Sequence, residues 1–209
     1  MSISIHEMDQ TVAQLTAPGK GILAADESVG TIAKRFKEVK VVCTEDTQRD
    51  YRELLFSTPG LGDFISGVIL FEETLKQKSA AGVPLPELLK AQGIVPGIKV
   101  DKGTLLLPEF HGETLTQGLD GLAQRLSEYK QWGARFAKWR YAVLCQEQGV
   151  VPIVEPEVLM QGEHTLATSS RITDMTLNGQ PLQADKSYMV ARWGVGSSQS
   201  ASRADMGRR

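Results

Sequence analysis

The 209-residue sequence has no run of about 18 apolar residues, so no stretch of it reads as a membrane-spanning helix. Its first residues contain neither the basic nor the apolar segment of an export signal, and the expected address is the cytoplasm. Excess charge is also lacking. The 23 Lys and Arg against 25 Asp and Glu leave a net charge of −2, too little for a chain-wide basic surface that would hold nucleic acid or an anionic membrane. Neither is expected as a partner. Cysteine is confined to Cys43 and Cys145, which have no metal-ligand spacing and no secretory context, so both are expected to be free thiols. His6, His111 and His164 stand singly and no His-Glu-x-x-His pattern occurs, so no zinc site and no other cofactor is expected.

What the sequence does have is alternation. Short apolar runs at 21–27, 67–72, 93–101, 134–140 and 149–157 read as buried strands. Helical patterns lie between them: 28–38 opened by a Ser cap, 44–56 opened by a Thr cap, 84–91 with Pro in its first turn, and 119–132. A further helix over 4–15 precedes the first strand. Strands that are apolar on both faces and alternate with helices predict parallel pairing, in a doubly wound sheet or a β/α barrel. Trp132 and Trp139 are expected in the core.

Polar residues gather where each apolar run ends: Asp26 and Glu27, Glu72 and Glu73, Lys99 and Asp101, Lys138 and Arg140, Glu155 and Glu157. In β/α folds the carboxyl ends of parallel strands point to one face, so these side chains are expected to converge. A buried Lys among carboxylates can attack a carbonyl to form an imine, and a carboxylate beside it can take the proton of a hydroxyl two carbons away, which cleaves a carbon–carbon bond. Lysines that stay charged would hold phosphate instead, or serve as structural ion-pair partners. Spacing alone favours a helix cap for Asp26-Glu27-Ser28, and Glu155-Pro156-Glu157 reads equally as an exposed acidic loop.

Taken as a set, Pro18-Gly-Lys-Gly-Ile-Leu-Ala-Ala-Asp-Glu-Ser28, Gly67-Val-Ile-Leu-Phe-Glu72, Gly97-Ile-Lys-Val-Asp-Lys-Gly103, Thr116-Gln-Gly-Leu-Asp-Gly121, Phe136-Ala-Lys-Trp-Arg140 and Val151-Pro-Ile-Val-Glu-Pro-Glu157 resemble class I fructose-bisphosphate aldolase. The resemblance covers residues 4–164. It implies a partial (β/α)8 barrel, with about five of eight parallel strands, and the metal-free cleavage of fructose 1,6-bisphosphate into dihydroxyacetone phosphate and glyceraldehyde 3-phosphate. A sugar phosphate is the implied partner, and the family is usually homotetrameric.

The resemblance also implies roles. Asp26 matches the acid/base group at the cleaved bond, Lys138 the charged lysine beside the imine, Glu155 the carboxylate that serves imine formation, and Glu157 the carboxylate that holds the nucleophilic lysine. Ser28, Arg35, Lys99 and Arg140 match positions that line the pocket or bind substrate phosphates. Two departures stand against these matches. The imine-forming lysine of the family has no counterpart after Glu157, where Lys186 is the only lysine, so these residues are expected to be inactive. Between the fourth and fifth strands only 141–149 remain, fewer than the 10–12 residues that a crossover needs, so ordinary pairing of those two strands is not expected.

Near residue 165 the composition turns to Ser, Thr, Gly and Arg and the charge turns positive, marking 165–209 as a separate tail. Asn178-Gly179 between 172–177 and 180–183 predicts a hairpin, and 197–209 reads as disordered. Residues 172–190 resemble part of the C-terminal domain of five-prime nucleotidase-like hydrolases, including bacterial thiosulfohydrolases.

Overall fold

A computed structural model describes residues 5–106, 114–138, 142–153, 176–177 and 180–181. Five strands form one parallel sheet in the order β1-β2-β3-β6-β7: β1 Gly21–Ala25, β2 Ile65–Leu70, β3 Val95–Lys99, β6 Phe136–Lys138 and β7 Val151–Ile153. With helices between the strands this is the five-strand portion of a β/α barrel that the family resemblance implies.

The helices begin where the sequence supplies a cap or a permissive turn. Ser28 caps α2, Val29–Glu38, its hydroxyl accepting from the Thr31 amide. Thr44 caps α3, Glu45–Phe56, through a reciprocal box with Thr47. Helix α1, Ile5–Leu15, leads the chain; α4, Leu61–Phe64, and α5, Glu72–Lys76, flank β2; and α6, Leu85–Lys90, follows Pro84. Helix α7, Leu122–Gln131, starts three residues later than the sequence pattern indicates. Gly121 stands at its N-cap with φ 65, a left-handed conformation that suits glycine.

Strand residues alternate between two apolar clusters. Ala25, Val68, Leu70, Ile98, Val100 and Ala137 face the helices, where Phe56, Leu89, Leu126 and Tyr129 cover them. Ile22, Ile69, Val95, Phe136, Val151 and Ile153 face the other side with Met8 and Leu15 of α1. Helix α1 thus closes the amino end of this concave face, where the Ser66 hydroxyl donates to the Leu15 carbonyl at 2.8 Å. The Phe136 ring lies across Gly67 and Gly97, and a Cβ on Gly97 would meet it at 2.2 Å. Those two glycines make room for one aromatic that fills the base of the concavity.

Two expectations are corrected. Strands β6 and β7 do pair, in parallel, with Phe136 opposite Val151 and Lys138 opposite Ile153. Each strand has only three residues, so 139–150 are free to make the connection, including the short helix α8, Ala142–Glu147. That length meets the minimum for a crossover. Trp132 is not core: it is 38% exposed and the Lys76 ammonium sits 4.5 Å from its ring centroid. The buried row of α7 runs Leu122, Leu126, Tyr129, and its next position is Gly133, leaving Trp132 to the side. Trp139 lies outside the described residues.

After β3 the chain makes an antiparallel pair that the sequence pattern does not announce, β4 Thr104–Leu106 with β5 Thr114–Thr116. In the tail, β8 Thr176–Leu177 pairs antiparallel with β9 Gln180–Pro181, at the position of the expected hairpin. Residues 197–209 lie outside the described residues.

Candidate active site at the carboxyl ends of the strands

The two-residue period of a strand places residues of one parity on one face. Asp26 continues the concave parity of Ile22, Lys99 that of Val95 and Gly97, and Lys138 that of Phe136. The three therefore meet at the carboxyl end of the concavity. Lys99 and Lys138 are register partners on adjacent strands. Each has a carboxylate. Lys138 Nζ lies 3.3 Å from Asp26 Oδ2, with the side chains only 14% and 11% exposed. Lys99 Nζ lies 2.5 Å from Asp101 Oδ1, and that same oxygen accepts from the Gly103 amide at 3.1 Å.

The turn after β1 holds Glu27 and Ser28, and Arg35 reaches it from α2. Ser28 caps α2, and Arg35 pairs with Glu27. Glu27 also meets Arg52 from α3, Nη1 to Oε2 at 2.6 Å, a close ion contact whose N–H is not aligned on the oxygen. Arg52 is 2% exposed. Of the eight site residues that the sequence singles out, Asp26, Lys99 and Lys138 thus share the concave parity at the strand ends, while Ser28 stands at the start of α2 and Arg35 within it, paired with Glu27. Arg140, Glu155 and Glu157 lie outside the described residues.

A second polar group ties the end of β2 to the end of β3. Glu72 accepts from Lys76 at 2.8 Å, Lys102 at 2.7 Å and the Tyr129 hydroxyl at 2.8 Å. Burial pushes this carboxyl up, but the hydrogen bonds from Lys102, Lys76 and Tyr129 outweigh it and hold the group at about 2. Burial pushes the Tyr129 phenol to about 12, and the neighbouring Glu72 carboxylate adds to the rise. Arg125 donates to the Val100 carbonyl at 2.9 Å and to that of Gly118, fastening the foot of the β4–β5 pair beside Lys99.

Sequence reasoning gave no role to Arg52, Arg125 or Tyr129. A signal existed for Arg52: it lies four residues before Phe56 on the apolar face of an amphipathic helix, and a charge there requires a partner. Among the described residues no three His, Cys, Asp or Glu side chains gather as metal ligands. No helix among them is long and apolar enough to cross a membrane.

The family model for fructose-bisphosphate aldolase class-I matches residues 7–141 and 140–185. A probable fructose-bisphosphate aldolase class 1 of Xanthomonas axonopodis is 50% identical over 199 residues, covering 84% of this chain and 60% of its own length. A cytosolic fructose-bisphosphate aldolase of Arabidopsis thaliana is 49% identical, covering 82% and 54%. The fructose-bisphosphate aldolase of Plasmodium falciparum, solved with TRAP and a small-molecule inhibitor, superposes with a TM-score of 0.76 at 48% identity, covering 81% of this chain and 56% of that one. The chain therefore spans a little over half the length of the relatives it matches.

Two details bear on the short connection between β6 and β7. The family model is met in two stretches that overlap at residues 140 and 141. The 199 aligned residues of the Xanthomonas relative exceed the 84% of this 209-residue chain that takes part, so that relative carries residues within the alignment that this chain does not. The second stretch runs on to residue 185, across most of 172–190, and the likeness of that segment to nucleotidase-like hydrolases gains no support.

Proposed function

The chain belongs to the class I fructose-bisphosphate aldolases, and we propose that these 209 residues supply the substrate-binding and acid/base half of the family's site without its imine-forming lysine. On their own they bind sugar phosphates and do not turn them over. The observation that carries the reading is the Asp26–Lys138 pair on the concave face, with Lys99 as the neighbour of Lys138 in register.

In the family reaction a lysine amine condenses with the substrate ketone and the resulting imine withdraws electrons. Asp26 then fits the base that takes the proton of the hydroxyl at the cleaved bond, and Lys138 holds that carboxylate in place. Lys99 and Arg140 supply positive charge for a phosphate ester, and Ser28 and Arg35 supply a hydroxyl and a guanidinium at the turn after β1. In sequence, Glu155 and Glu157 continue the parity of Val151 and Ile153, which suits the two carboxylate roles assigned to them. Lys186 is the only lysine of these 209 residues that follows Glu157, and the chain around it does not resemble the family's nucleophile segment. We extend the proposal to a cytoplasmic address, in line with the cytosolic Arabidopsis relative.

The test is to incubate the purified chain with dihydroxyacetone phosphate, reduce with borohydride, and follow intact mass and peptide masses. Calorimetric titration with the same compound runs alongside, and near-ultraviolet circular dichroism verifies packed aromatic residues. Binding without an adduct is expected. A borohydride-dependent adduct on any lysine overturns the inactive reading, and absence of binding by a folded chain overturns the sugar-phosphate reading.

A second reading, association with other subunits of the family, is favoured by Leu105, Leu106 and Leu115, which the β4–β5 pair leaves 54%, 75% and 60% exposed. Light scattering of the chain alone and mixed with an intact aldolase tests it. A mixed species larger than either parent is its expected mark, and two unchanged parents dismiss it.

A further inference from the structure

The turn between β1 and α2 holds three charges, two of them on arginines. Glu27 meets Arg35 on one side and Arg52 on the other, so the group carries one positive charge more than it neutralises. The two arginines differ in surroundings. Arg52 comes from the buried face of α3, is 2% exposed, and also approaches the Glu27 carbonyl through Nη2 at 3.5 Å. The Arg35 side chain is 52% exposed and reaches Glu27 from α2. The Glu27 side chain is 9% exposed and stays between them.

We propose that Glu27 is a built-in counter-anion that occupies Arg35 when no ligand is bound, and that a phosphate ester at the turn after β1 takes its place. The proposal rests on the sugar-phosphate reading and adds how that site is kept and released. The charge count permits the exchange. When Arg35 leaves Glu27 for a phosphate, the carboxylate keeps Arg52 and remains a neutral buried pair, so no buried charge is orphaned. When the phosphate leaves, Arg35 returns to an anion 8 residues away in sequence, already fixed by Arg52. A pre-formed pair of this kind weakens ligand binding, because the ligand must displace an anion of the protein. Arg52 is then a positioning residue: it touches no ligand and holds Glu27 where Arg35 can return to it. The Ser28 hydroxyl, which reaches the Thr31 amide at 3.4 Å and the Thr31 hydroxyl at 3.1 Å, stands at the same turn and is available to the same phosphate.

The experiment uses the full chain and dihydroxyacetone phosphate, with inorganic phosphate as the second probe. Calorimetric affinities are compared for the unmodified chain, for Arg35→Gln, for the double change Glu27→Gln with Arg52→Met, and for all three changes together. The double change removes both buried charges, so neither is left unpaired. It is expected to bind dihydroxyacetone phosphate about ten-fold more tightly, while Arg35→Gln binds at least ten-fold more weakly and the triple change binds no more tightly than Arg35→Gln. Guanidinium Nε–H resonances of the unmodified chain provide a readout that needs no variant: on titration the Arg35 signal moves and the Arg52 signal stays. Unchanged or weaker binding by a folded Glu27/Arg52 variant, or an Arg35 signal that does not move while the ligand binds, overturns the exchange and leaves the sugar-phosphate reading standing. No binding by the unmodified chain overturns both.

Discussion

Lys138 Nζ lies 3.3 Å from Asp26 Oδ2, although β2 and β3 stand between the strands that carry them. In a flat sheet at the usual spacing of about 4.8 Å per strand those two strands would be about 14 Å apart. The contact exists because the sheet curls, and the long lysine side chain crosses the concavity. An ion pair of this geometry is a gauge of barrel curvature. Asp26→Asn or Lys138→Met alone leaves a mostly buried partner charge and should lower stability by about 1–3 kcal/mol, while changing both together should cost less than the two single losses combined. Urea denaturation of the four proteins in a double-mutant cycle measures the coupling, and additive losses would show that the pair is not formed in solution.

Glu72 gives the chain a defined acid response. Its carboxyl is held at about 2 in the folded state against an ordinary 4.5, so the folded protein binds fewer protons than the unfolded chain between those values. Stability from this group is therefore fully present above pH 4.5 and is lost as the pH falls towards 2. Glu72→Gln should cost about 1–3 kcal/mol at pH 7, and the difference from the unmodified chain should shrink across that window. Denaturation midpoints of both proteins at stepped pH values measure this, and a gap that stays constant between pH 5 and 2 would mean that the carboxylate is not held by Lys76, Lys102 and Tyr129.

Gly97 is required for space. Its φ is not in the left-handed region, but a Cβ there would meet three atoms of the fully buried Phe136 ring at 2.2–2.5 Å. A ring lying across β2 and β3 has no free direction in a packed interior, so Gly97→Ala should destabilise the fold by about 1–3 kcal/mol. Adding Phe136→Leu should recover part of the loss by making room for the new methyl. Thermal melts of the single and double variants decide it, and a Gly97→Ala chain as stable as the original would place the ring elsewhere.

Much of this architecture was legible because parity and capping are local properties. Ser28 and Thr44 mark the starts of α2 and α3, and the alternation Ile22, Ala24, Asp26 already assigns Asp26 to the face opposite Leu23 and Ala25. The convergence of Asp26, Lys99 and Lys138 follows from one such rule applied to three strands. What was not legible depends on how long each strand is. Strands β6 and β7 stop after three residues each, and that shortness is what lets 139–150 make the crossover that 141–149 could not. The pairing of β4 with β5 escaped because its members are three residues long and exposed, giving no apolar alternation to read. The Glu27–Arg52 contact joins residues 25 apart in sequence, and only the packing of α3 against the first strand end brings them together.

The two thiols should behave in opposite ways. Cys145 is fully buried in the cluster between sheet and helices, and burial pushes its thiol up to about 12, so almost none of it is thiolate near neutral pH. Cys43 is only half-buried, on the approach to α3, and accepts a hydrogen bond from the Gln48 amide at 3.1 Å. Alkylation needs both thiolate and access, so N-ethylmaleimide at pH 7.5 should add to Cys43 first and reach Cys145 only when the segment carrying α8 opens. A short exposure of the native chain is expected to give a single adduct, and Cys43→Ser none, while denaturant gives two adducts on the unmodified chain. The labelling rate of Cys145 then reports how firmly α8 and the short crossover are docked on β7. If Cys145 reacts as fast as Cys43 in the native chain, the docking of α8 between α7 and β7 is not maintained in solution.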